Sequence, residues 1–115
     1  MRYNGGMNRA LPPLLAAMIA ALNAHDADAF LACMADEGVV RDEGRTHIGL
    51  VAIRAWFETT TRKYTPQIEV TSLATNDGEP VITGSVSGNF EGSPLTLRYF
   101  VGVEDGKIVA LKSAP

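Results

Sequence analysis

The feature that constrains this chain most is a change of hydrophobic period at Pro66. Upstream, apolar residues recur every three or four positions; downstream, they alternate. The first spacing stacks side chains along one face of a helix, the second along one face of a strand. Helices first and strands later describe an α+β domain, with the two element types segregated rather than interleaved. The dipeptides Asp77-Gly78, Glu91-Gly92 and Asp105-Gly106 cut the downstream half into strands near 67–76, 80–90, 94–104 and 107–113. Turns of that chemistry join neighbouring strands into an antiparallel meander.

Upstream, three helices are expected. Pro12 or Pro13 opens the first, where a missing N–H and a fixed φ cost nothing. Leu11, Leu14, Leu15, Met18, Ile19 and Leu22 form its apolar face. The turn from Asn23 to Asp26 ends it, and Asp26 caps a second helix that buries Phe30, Leu31 and Met34 and stops at Gly38. Val39 to Asp42 reads as a short strand, with Thr46-His47-Ile48 pairing back across Glu43-Gly44-Arg45. Gly49 opens a third helix, with Leu50, Ile53, Trp56, Phe57 and Tyr64 inward and a Glu58–Arg62 pair on its surface. Pro66 closes it.

The parity of the later strands sorts their side chains onto two faces. Ile82, Val86 and Phe90 share the inward face with Leu95, Leu97, Tyr99, Val101 and Val103. Thr83, Ser85, Ser87, Thr96, Arg98 and Phe100 take the outward one. Ile68 and Val70 fall out of phase with Leu73, which predicts a bulge at Thr71-Ser72. A bulge bends a sheet, and a bent sheet can wrap the helices and leave a hollow. Gly84 and Gly88, on the inward parity, mark either that hollow or a close approach of neighbouring backbone.

A hydrophobic share of 46% is enough to build a buried core. A net charge of -3 without a basic run argues against nucleic acid and anionic membranes as partners. The longest apolar run, from Leu11 to Leu22, contains two prolines and is too short to span a bilayer. The single cysteine, Cys33, permits no internal disulfide, as expected of a cytoplasmic protein, and its apolar setting reads as a buried structural thiol. Residues 1–10, with Gly5-Gly6, read as a flexible tail in which Met7 is an alternative start, ahead of one domain at 11–115.

Three stretches, from Asn23 to Phe30, from Ala35 to Asp42 and from Gly49 to Phe57, resemble the nuclear transport factor 2-like superfamily. SnoaL-like polyketide cyclases and ketosteroid isomerases belong to it. The order helix, helix, strand, helix and four antiparallel strands fits as well, so the resemblance covers about residues 12–113. It implies a cone: a curved, cystatin-like antiparallel sheet wrapped around three N-terminal helices. It also implies a pocket for a small apolar molecule and chemistry without a cofactor. It does not imply one reaction, since the fold hosts isomerases, cyclases, dehydratases, epoxide hydrolases and non-catalytic proteins.

Carried over by position, the resemblance puts Asp42 where the isomerases hold their proton-shuttling aspartate. A carboxylate in an apolar pocket gains basicity and can move a proton beside a carbonyl, provided a donor steadies the enolate oxygen. The isomerases' oxyanion tyrosine is replaced by Met18, which cannot donate, and its two supporting tyrosines by Met34 and Phe57. The second family donor falls near Tyr99, and His47 is a further candidate acid or base. The epoxide-hydrolase arrangement is missing, because the late strands carry no second inward carboxylate. Met18, Met34, Trp56, Phe57, Ile82, Val86, Leu97 and Leu111 are the expected pocket wall.

Plainer readings stand beside these. Asp42 ends a strand and can be held by turn amides or a neighbouring arginine. The Tyr99 hydroxyl can reach water or main chain, His47 can be solvated, and the methionines and Trp56 can be core. His25, His47 and Asp42 lack the spacing of metal ligands, so no metal site is expected. Phe100, Arg98 and Ser85, on the outward face, are the expected contact of a two-fold homodimer.

Overall fold

Pro13 stands at the first position of helix α1 (Pro13–Ala24), with Pro12 as its N-cap. The structure is a computed structural model in which residues 11–115 are described; the tail at 1–10 and the alternative start at Met7 lie outside the described residues. The chain leaves α1 through His25, whose φ of 57° is left-handed and whose N–H reaches the Ala21 and Leu22 carbonyls. The His25 imidazole Nε2 lies 2.7 Å from the Pro66 carbonyl oxygen. Asn23 brackets Ile68, donating to its carbonyl at 2.9 Å and accepting from its N–H at 2.6 Å. The helical and strand halves are therefore stitched together where the hydrophobic period changes.

Asp26 caps α2 (Ala27–Cys33), its Oδ1 accepting from the Ala29 N–H at 3.0 Å. The helix stops at Cys33 rather than continuing to Gly38, and β1 (Met34–Asp42) begins at once. Pairing with the C-terminal strand overrides the local helical spacing here: Met34 stands opposite Ile108, and Val39 to Arg41 run beside Ala110 to Lys112. Gly38 falls in the break of that register. A Cβ there would meet the Ala35 and Ile108 carbonyl oxygens at 3.1 and 3.3 Å. Cys33 is buried and free, and burial pushes its thiol pKa up while nearby Lys107 pulls it down.

Strand β2 (Arg45–Ile48) folds back on β1, and α3 (Leu50–Tyr64) follows. Arg54 of α3 takes Glu58 at 3.5 Å and Asp28 of α2 at 2.5 Å, so Glu58 pairs one turn earlier than the expected Arg62. Both pairs are exposed and contribute little to stability. Then come β3 (Gln67–Asn76), β4 (Glu79–Ser87), β5 (Leu95–Glu104) and β6 (Lys107–Ala114).

The six strands form one sheet in the order β2-β1-β6-β5-β4-β3. The last four are the expected antiparallel meander, but β1 runs parallel to β6, so the sheet is mixed. No hairpin links β1 to β6; β1 comes out of the helical half and docks on the free edge of the meander. The bulge appears where the phase slip placed it, with Thr71 skipped between the Val70–Gly84 and Ser72–Thr83 pairs. A second one, between Gly102 and Val103, had no counterpart in the sequence reading.

Inward side chains of the sheet join the helices in one core, in which Met18, Phe30, Ile53, Ile82 and Ile108 are fully buried. Each contributes roughly 1.5–3 kcal/mol of hydrophobic stabilisation. Among the described residues the outward face carries no helix. Val81 and Phe100 stand opposite one another there, and Phe100 is half-buried beneath Arg98 and Lys112, whose charged groups lie 5.3 and 6.0 Å from its ring centre. Among the described residues no helix is long and apolar enough to cross a membrane.

Candidate functional site

The core does not fill the cone. Between the C-terminal half of α3 and the inward face of β1, β6, β5 and β4 lies a cavity of about 220 Å³. Its floor is buried and apolar, made by Val40, Phe57, Ile68, Val86 and Leu111. Its rim is exposed or half-exposed: Thr60, Thr61 and Tyr64 from α3, Arg41 and Glu43 around the end of β1, and Phe90 and Leu95 around the β4–β5 loop.

That loop is pinned by backbone. A Cβ at Gly88 would come within 2.5 Å of the Tyr64 carbonyl oxygen, so only glycine lets the chain pass. The same carbonyl accepts from the Asn89 N–H at 2.6 Å, and the Phe90 ring then meets Tyr64 edge-on at 5.9 Å. Gly84 is likewise a close approach, with Ile68 occupying the space a Cβ would need. Neither glycine opens a hollow.

One wall of the cavity is polar. Asp42 ends β1, Ser113 lies on β6, and Tyr99 stands opposite Ser113 on β5. The three therefore form a row across adjacent strands, all lining the cavity. Each oxygen of the Asp42 carboxylate accepts a hydrogen bond: Oδ2 from the Trp56 indole N–H at 2.9 Å, and Oδ1 from the Ser113 hydroxyl. Tyr99 is only 7% exposed, and its hydroxyl has no hydrogen-bond partner among the described residues. Burial, and secondarily the Asp42 charge, push its pKa well above the ordinary tyrosine range. It stays a neutral donor in the cavity wall. At the rim, Tyr64 donates to Glu43 at 3.0 Å.

Of the residues singled out from the sequence, Asp42, Tyr99, Trp56, Phe57, Val86, Leu97 and Leu111 line this cavity. Met18, Met34 and Ile82 do not; they point inward but sit in the closed part of the core, at 0%, 3% and 0% exposure. His47 also lies outside. It is on the edge strand β2, its ring 6.1 Å from that of Trp56, and it is not part of the cavity lining. Ser113 and the indole N–H of Trp56 are the groups that sequence reasoning passed over. A serine two positions after Leu111, on the inward parity, was the available signal. Among the described residues, no three His, Cys, Asp or Glu side chains lie close enough to hold a metal ion.

Comparison with known proteins places this architecture. The profile of the SnoaL-like domain family matches residues 15–111. A candidate polyketide cyclase from Sinorhizobium meliloti is 31% identical, superposes with a TM-score of 0.88, and the match covers 93% of this chain and 98% of that one. A Catenulispora acidiphila protein with a ketosteroid isomerase-like fold, solved with trimethylamine, superposes at 0.79 with 18% identity, covering 92% and 87%. A cystatin-fold protein from Novosphingobium aromaticivorans gives 0.73 and 19%, covering 89% and 95%. The latter two likenesses concern the fold alone. No curated protein matches the sequence.

Proposed function

The chain belongs to the SnoaL-like domain family, and from that premise we propose that it is a cofactor-free enzyme acting on a small apolar carbonyl compound. Asp42 is the base that takes a proton beside the carbonyl, and Tyr99 donates to the oxygen on which charge collects. The observation that carries this reading is the row of Asp42, Ser113 and Tyr99 along one wall of an otherwise apolar cavity. Trp56 and Ser113 fix the carboxylate in place, so little of its reach is lost to rotation. Tyr99, buried and unpartnered, is the kind of group a ligand oxygen completes. The isomerase or cyclase character of the reaction belongs to the same proposal.

A second reading, a non-catalytic ligand carrier, draws support from Met18. An additional oxyanion donor at that position is replaced by a methionine sealed in the core, leaving Tyr99 as the donor facing the cavity. Hydrogen exchange in D2O separates the two. With apolar ketones as probes, an enzyme exchanges hydrogens next to the carbonyl, and Asp42→Asn stops it. Ketones that bind without any enhanced exchange leave the carrier reading.

We further propose a cytoplasmic homodimer joined through the outward sheet face around Phe100, Arg98 and Ser85. The half-buried Phe100, set among the polar side chains of that face, supports it. Sedimentation should give a dimer at micromolar concentration, weakened by Phe100→Glu; a monomer would count against it.

A further inference from the structure

We infer that the cavity selects by size: it takes a compact carbonyl compound of one or two rings and turns away a rigid four-ring skeleton, with Tyr64 and Phe90 setting the limit. This rests on the reading in which the ligand's carbonyl reaches Tyr99.

Volume gives the first bound. An apolar cavity of roughly 150 Å³ holds one benzene ring. At about 220 Å³, this one has room for that ring and a short extension, or for two fused rings whose outer edge meets the rim. The inner side has nothing to yield. Phe30 lies 5.1 Å from Phe57 of the floor, and Ile82 stands opposite Tyr99, both at 0% exposure. Forcing extra atoms into packing of that kind displaces side chains from their rotamers and weakens binding.

The outer side is tied together. Tyr64, at the end of α3, donates to Glu43 at 3.0 Å, and its ring meets Phe90 edge-on at 5.9 Å. All three line the cavity, so the tie joins the end of β1, the end of α3 and the β4–β5 loop along the rim. Hydrogen bonds to main chain hold Tyr64 from two directions. Its own carbonyl accepts from the Asn89 N–H at 2.6 Å. Just past it, His25 meets the Pro66 carbonyl at 2.7 Å and Asn23 brackets Ile68. A long ligand with its carbonyl at Tyr99 must drive its far rings past these side chains, at the loss of the Glu43 and Phe90 contacts. A compact one leaves them in place.

Three saturated ketones that share a carbonyl and differ in ring count test this by calorimetry on the full chain: cyclohexanone, decalone and a steroid 3-ketone. Decalone should bind tightest, with cyclohexanone about tenfold weaker for want of buried carbon and the steroid ketone about tenfold weaker for want of room. Phe90→Ala and Tyr64→Ala each cut the tie, and either should raise the steroid's affinity about tenfold while changing decalone's less. A steroid ketone that binds the unmodified protein as tightly as decalone, or tighter, overturns the inference, and that comparison needs no variant. No gain for the steroid in either variant takes the limit away from Tyr64 and Phe90. If none of the three binds, or if decalone binds Tyr99→Phe as tightly as the parent, the underlying pocket reading fails instead.

Discussion

The two ends of the cone are built from the same elements and behave as opposites. At the closed end, Met18, Phe30, Ile53, Ile82 and Ile108 pack without residual exposure. At the open end, the same sheet and the C-terminal half of α3 hold a void, a carboxylate, a hydroxyl and an indole N–H. An unfilled, partly polar space stabilises nothing by itself. The closed end must therefore supply the stability that lets the open end keep an unpartnered hydroxyl under cover. The contrast predicts that substitutions at one end change folding and those at the other change chemistry.

The largest effect should come from the closed end. Phe30→Ala removes a ring packed 5.1 Å from Phe57 and 5.8 Å from Trp56. It should lower unfolding stability by about 3–5 kcal/mol in a denaturant titration. A loss below about 1 kcal/mol would mean that the packed end does not carry the fold.

Tyr99→Phe should do the reverse. Any carbonyl exchange should fall by about a hundredfold, while stability holds or rises slightly, because the hydroxyl removed has no protein partner. A clear drop in melting temperature would show that Tyr99 belongs to the packed end after all.

The same residue sets a pH dependence. Its pKa is raised in the fold, so the unfolded chain releases this proton first, near pH 10. The stability linked to it is fully present below that point and is lost as pH climbs toward the folded value, by about 1.4 kcal/mol per pH unit. Alkaline unfolding curves of the parent should show this slope and those of Tyr99→Phe should not.

The smallest effect is expected for the stability of Asp42→Asn, which keeps the shape and an acceptor for the Trp56 N–H, while the Ser113 hydroxyl turns to accept from the new amide. A change of about 1 kcal/mol, a shift of a few degrees in melting temperature, separates a functional carboxylate from a structural one. A loss several times larger would make Asp42 part of the scaffold.

The closed end was legible in the sequence and the open end only in part, for a physical reason. Periodicity reports whether a side chain points inward; it does not report how far along the cone it sits. Met18, Met34 and Ile82 point inward as expected, yet are not part of the cavity lining, Ile82 although it stands opposite Tyr99. Met34 also changed element, because the edge of the meander recruited its segment as a strand. Asp42 and Tyr99 were reached through the family resemblance, which implies a proton-shuttling aspartate and a donor at those positions. Ser113 was not, although it shares the inward parity of Leu111 beyond the bulge, because the resemblance implies no serine there and a lone serine near a chain end reads as an ordinary surface residue. Trp56 was read for its ring; the direction of its N–H depends on a rotamer that no spacing encodes.

Trp56 is the chain's single tryptophan, and it lies in the wall of the cavity with its N–H on the Asp42 carboxylate. Its emission therefore comes from one place. A guest entering the cavity displaces solvent from the indole face or reorients the carboxylate at its edge, and either event changes the colour or yield of the light. The protein can thus be surveyed against a library of unlabelled compounds by its own fluorescence, before any reaction is known.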